Sequence, residues 1–238
     1  MNEEQINPEC PIDELSINRC IEQQFANRDP NVHNIIEPIH SQIHFYYNSI
    51  NIAIGKQGCG KTSFLCKQLI MLSQVPNQPY SAILYVGKGD VDYTFMKLKQ
   101  FFRIPVFMCT YDKFLAMFQQ YCKEREQDNS HVFIIFEDAS FVFQKENQEW
   151  NNIICRLRHL RCTVWMNIHV WKSVSTTFKS QLTTAFIFKG FSREQMMWMY
   201  RQMSVAISFP NLWGGYSMMT GRQCLKIDNI DSKCQVIH

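Results

Sequence analysis

The chain has 238 residues, of which 46% are hydrophobic and 19% charged; this fits one α/β domain with an arm and excludes a disordered chain or a long coiled coil. No run approaches 18 uninterrupted apolar residues, and the opening MNEEQINPEC is acidic and polar, so neither a membrane span nor a secretory leader is expected. The net charge of +3 divides unevenly: two arginines stand against eight acids in residues 1–48, eleven bases against ten acids in 49–149, and eleven bases against three acids in 150–238.

Residues 1–33 carry no sustained hydrophobic period and are punctuated by Pro8, Pro11 and Pro30, which predicts an acidic arm with one short helix over residues 12–25. The arm is taken to run to residue 48, the core to span 49–203, and residues 204–238 to extend the same domain. From Ser49 the pattern changes. Ile50, Ile52 and Ile54 lead into a glycine cluster, and Phe64, Leu65, Leu69 and Leu72 then recur at helical spacing from Lys61 to about Ser73. Further apolar runs follow at 82–86, stopped by Gly87-Lys88-Gly89-Asp90, at 106–109, at 132–136, at 163–166 and at 185–188. Helical stretches are expected around Phe114–Tyr121 and near 148–160, 174–182 and 192–203. In residues 205–238 the pair Gly214-Gly215 before Tyr216 predicts a turn, with an edge strand or tail beyond it. Short continuous apolar runs separated by helices predict an α/β fold, a mainly parallel central sheet with helices on both faces, which binds ligands at the carboxyl ends of its strands.

The first such end is Gly55-Lys56-Gln57-Gly58-Cys59-Gly60-Lys61-Thr62, an uninterrupted G-x-x-x-x-G-K-[ST], followed by Ser63. Glycines let successive backbone N–H groups turn toward phosphate oxygens, Lys61 reaches the β- and γ-phosphates, and Thr62 offers its hydroxyl to Mg²⁺. The second end is Val132–Phe136 followed by Glu137 and Asp138, a strand closing on adjacent carboxylates. One acid of such a pair holds the metal and the next polarises the attacking water. The third is Asn167-Ile168-His169, where alternation puts Asn167 and His169 on one side as candidate γ-phosphate or water sensors. The expected ligands are therefore ATP and Mg²⁺.

The ten cysteines include no C-x-x-C, and several fall inside apparent helices and strands, so reduced thiols are expected. Cys155, His159 and Cys162 share one face if a helix continues through all three. Three zinc ligands without an adjacent fourth make a packed thiol face the expected outcome. The basic stretch Arg156-Leu157-Arg158-His159-Leu160-Arg161, with Lys172, Lys179, Lys189, Arg193 and Arg201 beyond it, suits a phosphate-rich partner or a neighbour's nucleotide. Trp165, Trp171, Trp198 and Trp213 interleave with these bases, where core packing and subunit contact are expected rather than base stacking.

The ordered set GKQGCGKT, VFIIFEDAS, NIICRLRHLRCTVWMNIHVWKSVSTTFKS and AFIFKGFSREQ resembles the genome-packaging ATPases of large DNA viruses and virophages, the poxvirus-type branch of the FtsK–HerA superfamily of P-loop NTPases, over residues 49–203. Three departures stand out. Glu137 replaces the usual aspartate, His169 the usual glutamine sensor, and Lys179 an arginine common after the sensor strand. Arg156 and Arg158 thereby become the better candidates for an arginine acting on a neighbour's nucleotide. The resemblance implies a homo-oligomeric ring, hexameric or pentameric, that hydrolyses ATP to drive double-stranded DNA into a preformed capsid. It also implies a capsid or portal-like vertex as partner and action in the host cytoplasm, at viral factories, or in the virion.

Two other functions fit the motifs: a small P-loop kinase acting on nucleosides or nucleotides, and a nucleotide-dependent assembly module. A kinase wants a mobile lid rich in arginine, whereas the bases here are spread over 89 residues. DNA-stimulated phosphate release separates a translocase from both. A head-to-tail ring needs two complementary faces on each subunit, which the acidic front and basic back supply. Deleting residues 1–33 is accordingly expected to change assembly mass and its salt sensitivity in sedimentation; unchanged mass and sensitivity contradict a role for the arm in assembly.

Overall fold

Runs rich in Ile, Val and Phe make strands that tolerate burial on both faces, and such runs supply the inner strands of a six-stranded parallel array closed at its edge by the strand Val106–Thr110. A computed structural model describes residues 43–89, 91–127, 130–144, 147–221 and 223–237. The expected helix over 12–25 and most of the acidic arm lie outside these residues. In chain order the elements are β1 (Ile50–Ile54), α1 (Lys61–Leu72), β2 (Tyr80–Gly87), α2 (Tyr93–Leu98), β3 (Val106–Thr110), α3 (Tyr111–Gln127), β4 (His131–Phe136), α4 (Gln148–Leu157), β5 (Cys162–Ile168), α5 (Thr176–Ser180), β6 (Thr184–Phe188), α6 (Arg193–Tyr200), α7 (Phe209–Met218), β7 (Cys224–Asp228) and β8 (Lys233–Ile237). The eight strands are ordered β3-β2-β4-β5-β1-β6-β7-β8. All pairs are parallel except β6–β7 and β7–β8.

The connections follow from handedness. From β1 the chain moves toward the β3 edge through α1 and α2, then returns through α3, α4 and α5 to β6. Right-handed crossovers in opposite directions must lie on opposite faces. Thus Phe64, Leu65, Leu69 and Phe95 pack one face with Phe133, Trp165 and Phe186. Phe114, Trp150, Ile154 and Phe178 pack the other with Ile52, Ile134 and Val164. The loop after β1 leaves toward the first face, and the chain after β4 and β5 toward the second, which opens a crevice at their carboxyl ends. Among the described residues no helix is long and apolar enough to cross a membrane.

Residues 43–48, grouped with the arm by sequence pattern, pack on the α1 face: Phe45 is buried, its ring centroid 5.2 Å from that of Phe133 and 6.1 Å from that of Trp165. Gly214 and Gly215 do not form the expected turn but lie inside α7. Pro210 occupies the first turn of that helix, where its missing N–H costs nothing. Tyr216 anchors it, donating to the Phe188 carbonyl at 3.0 Å and accepting from the Phe191 amide at 2.9 Å. The helical face expected for Cys155, His159 and Cys162 does not form either. Helix α4 ends at Leu157, a 3₁₀ turn spans Arg158–Leu160, and Arg161 adopts φ 56° before Cys162 opens β5. The Cys162 thiol instead meets the Tyr121 hydroxyl at 3.2 Å. Among the described residues no three His, Cys, Asp or Glu side chains are grouped to hold a metal.

Phe186 is fully buried between Trp165 (centroids 4.9 Å) and Phe64 (5.3 Å). Phe186→Ala is expected to cost about 3–5 kcal/mol in urea unfolding; a loss below about 1 kcal/mol contradicts this packing.

Candidate nucleotide-binding site

Gly55 follows β1 directly, and its amide still donates to the Ile168 carbonyl of β5 at 3.3 Å. A Cβ at Gly55 would lie 2.5 Å from Cys59 Sγ and 2.8 Å from Phe188 Cβ, so no side chain fits. Gly58 (φ 74°) and Gly60 (φ 102°) take left-handed conformations that disfavour other residues. Gly60 is the N-cap of α1 and brings no side chain to cover the first amides of the helix, which leaves their partial positive charge to an anion. Lys61 is buried, and its ammonium donates to the Gly55 carbonyl at 2.8 Å and the Lys56 carbonyl at 3.1 Å. Burial lowers its pKa, while the Cys59 thiol and the Glu137, Asp138 and Asp92 carboxylates oppose that shift. Lys56, Gln57 and Gly58 are exposed at the loop's crown, and Cys59, Thr62 and Ser63 are half-buried. The loop is thus a cradle of backbone donors closed below by one cation.

Strand register assembles the rest. In β5, Met166 is registered with Phe136 of β4, and Ile168 with Ile54 of β1. One step on, Asn167 stands beside Glu137 and His169 beside Gly55. Asn167 Nδ2 donates to Glu137 Oε2 at 2.6 Å, and Asn167 Oδ1 accepts from the Trp165 indole at 2.9 Å. His169 Nδ1 lies 3.0 Å from the Gly55 carbonyl and 3.4 Å from Lys61 Nζ, and its Nε2 is 3.9 Å from Asp138 Oδ1. Because the Gly55 oxygen accepts, Nδ1 is the protonated nitrogen of that contact. The His169 amide donates to Ser140 Oγ at 3.1 Å. Asp138 turns out of the strand in a left-handed conformation (φ 51°), so the two acids diverge instead of alternating across the sheet.

The structure therefore brings together Gly55–Ser63, Glu137, Asp138, Asn167 and His169. It does not bring Arg156 to them. Arg156 lies at the end of α4, before β5, and the seven residues of β5 carry the chain about 20 Å before it reaches His169. Its guanidinium lies 5.8 Å from the Phe118 ring in the groove between α3 and α4. Arg158 begins the 3₁₀ turn that follows, at the same end of the sheet. Lys179, on α5, sits 5.0 Å from each of the Trp171 and Trp198 rings, which makes those indoles a perch for a cation. Three site neighbours carry no motif in the sequence: Tyr111, which donates to the Glu137 carbonyl at 2.6 Å; Ser140; and Lys88, which donates to Asp138 Oδ2 at 2.7 Å. Only the adjacency of β2 and β4 places Lys88 there.

A glycine loop joining β1 to α1, with β5 between the phosphate-loop strand and the strand bearing two acids, defines a P-loop NTPase fold. It is similar to the genome packaging NTPase B204 from Sulfolobus turreted icosahedral virus 2, determined in complex with AMPPCP (TM-score 0.61, 13% identity, 80% of this chain and 97% of that one) and with ATP-gammaS (TM-score 0.62, 13% identity, the same shares). It is also similar to EssC (ATPases 2 and 3) from Geobacillus thermodenitrificans, with TM-score 0.57, 10% identity, and 78% and 39% of the two chains. The chain belongs to the Poxvirus A32 protein family, which matches residues 43–230. Comparison with curated proteins gives no match.

Burial pushes the Glu137 carboxyl up from 4.5 to about 7, against the opposing hydrogen bond from Asn167. Between those values the folded chain holds a proton that the unfolded chain has lost, so the associated stability is present at acid pH and disappears as pH rises through 7. Glu137→Gln keeps an acceptor for Asn167 and removes the titration. Its stability relative to wild type is expected to rise by about 2 kcal/mol between pH 5 and pH 8 in urea unfolding; a difference independent of pH contradicts the burial of this carboxyl.

Proposed function

We propose that this chain is an ATP-hydrolysing double-stranded DNA translocase that packages a viral genome into a preformed capsid. The observation that carries the reading is the joining, at the carboxyl ends of three inner strands of a Poxvirus A32 family member, of the phosphate cradle, Lys61, Glu137, Asp138 and His169. The similar B204 is described as a genome packaging NTPase and binds ATP analogues, which supports the same ligand class here.

In this reading the triphosphate enters the Gly55–Ser63 loop, and Lys61 exchanges its two loop carbonyls for β- and γ-phosphate oxygens. Phosphate charge offsets the burial that disfavours the ammonium. Thr62, Glu137 and Asp138 offer hydroxyl and carboxylate oxygens, the hard donors that suit Mg²⁺, which when bound neutralises charge on the phosphates. Asn167 fixes the rotamer of Glu137, and Trp165 in turn fixes Asn167. Asp138, half-exposed at the mouth, orients the attacking water, and His169 ties the phosphate loop to it. Arg156 and Arg158, at the other end of β5, serve only if they act on the nucleotide of a neighbouring copy in a ring. An arginine in that role is worth about 10³–10⁵ in rate in related chemistry. The basic residues of 150–238 meet DNA through its phosphates, so binding weakens as salt rises.

Wild-type protein is expected to release phosphate from ATP faster with double-stranded DNA than without it. Lys61→Ala, checked for folding by its urea midpoint, should lose about 10²–10³-fold of that rate. Hydrolysis at the wild-type rate by Lys61→Ala rules out this site.

A further inference from the structure

The peptide that joins the two acids is held by a side chain that follows the outermost strand. The sheet runs β3-β2-β4 on that side, with Cys109 registered to Val86 and Val86 to Phe136, so the three strands reach one level together. The Glu137 amide makes a ladder bond, donating to the Val86 carbonyl at 2.9 Å. The Glu137 carbonyl has a different partner: it accepts from the Tyr111 hydroxyl at 2.6 Å. Tyr111 is the first residue of α3, directly after β3. It is buried, and three rings fix its own. Phe136 lies nearly parallel to it (14°, centroids 6.1 Å), while Phe141 and Trp150 meet it edge-on at 5.2 Å and 5.6 Å. Aromatic packing on several sides thus aims one hydroxyl at one main-chain oxygen.

This bond bears on where the second acid points. In a continuing strand, consecutive side chains would fall on opposite faces of the sheet. The chain turns at once instead, with Asp138 at φ 51° and ψ 48°. Residues other than glycine seldom enter this left-handed region, although aspartate tolerates it better than most. Tyr111 belongs to the aromatic layer of the second face, so its hydroxyl holds the Glu137 carbonyl toward that face and the next residue leaves the strand. Asp138 then presents its carboxylate at the mouth, Oδ1 3.9 Å from His169 Nε2 and Oδ2 2.7 Å from Lys88 Nζ. Glu137 is fixed separately, through its own carboxylate, by Asn167. One acid is placed by its side chain and the other by the peptide before it.

We propose that Tyr111 is a positioning residue for hydrolysis: its hydroxyl fixes the Glu137–Asp138 peptide and thereby sets the Asp138 carboxylate where it orients the attacking water. The inference rests on the reading of Asp138 as the water-orienting acid. The bond is to a main-chain oxygen at the end of β4 and not to the phosphate loop, so its loss is felt in the chemical step and not in nucleotide binding.

The test measures steady-state phosphate release from ATP and affinity for a non-hydrolysable ATP analogue, using the full chain as wild type, Tyr111→Phe and Asp138→Asn. A fourth protein carries 4-aminophenylalanine at position 111, which keeps the shape and a donor. Tyr111→Phe, checked for folding by its urea midpoint, is expected to lower kcat by about 10-fold to 10²-fold, the loss that a small misplacement of a reacting group brings. KM for ATP and affinity for the analogue should stay at their wild-type values, and the amino variant should recover most of kcat. A wild-type kcat in Tyr111→Phe overturns the proposal. So does a parallel loss of kcat and analogue affinity, or an amino variant no faster than Tyr111→Phe. A Tyr111→Phe chain that does not fold overturns it too, because the hydroxyl would then be a requirement of the fold. Asp138→Asn hydrolysing at the wild-type rate defeats the underlying reading of Asp138, an outcome distinct from an impaired Asp138→Asn beside an unimpaired Tyr111→Phe.

Discussion

Everything at the site depends on β5 lying between β1 and β4 in parallel register. The pairings Ile54–Ile168 and Met166–Phe136 bring the ends of three strands to one level. Register places Asn167 beside Glu137 and His169 beside the phosphate loop, so the two polar residues that share a face of β5 divide their contacts between acid and cradle. A slip of one residue would turn Asn167 and His169 to the opposite face and put Met166 and Ile168 in their place. The aromatic layer beneath prevents that slip. Trp165 fills the core against Phe186, Phe64 and Phe45, and the same indole holds Asn167. Hydrophobic packing and the geometry of the candidate site are therefore one structure.

The electrostatics give this arrangement a preference for ligand. Burial disfavours the charged form of both Glu137 and Lys61; the hydrogen bond from Asn167 and the Lys61 charge oppose it for the acid, and the Cys59 thiol with the Glu137, Asp138 and Asp92 carboxylates oppose it for the base. Phosphate charge favours the ammonium, and a divalent cation favours the carboxylate. Under the proposed function, nucleotide and metal bound together would relieve two opposed penalties, and occupancy would stabilise the folded chain by mass action. The exposed pair of Lys88 and Asp138 behaves differently. It is open to solvent.

Much of this was legible in the amino-acid sequence where the local pattern had a single physical meaning. Isoleucine- and phenylalanine-rich runs too short for helices became the inner strands, and the spacing of glycines with Lys61 and Thr62 set out the cradle. The adjacent acids after Phe136 marked the second strand end. What escaped depended on long-range adjacency. Nothing near Lys88 announces that β2 lies against β4. Tyr111 and Ser140 reach the site from a helix start and a 3₁₀ turn. The pair Gly214-Gly215 read as a turn because glycine usually weakens helices; packing of Phe209, Leu212 and Tyr216 overrode that preference. The basic cluster at Arg156–Arg161 was visible as charge, but its distance from the phosphate loop emerged only from the length of β5.

A crystal structure of the full chain with a non-hydrolysable ATP analogue and Mg²⁺ is the direct test of this site. The triphosphate is expected to be wrapped by Gly55–Ser63, with Lys61 Nζ moved from the Gly55 and Lys56 carbonyls onto phosphate oxygens, and Glu137 still held by Asn167. A triphosphate bound elsewhere, or a Lys61 that keeps both carbonyls with the nucleotide in place, contradicts it.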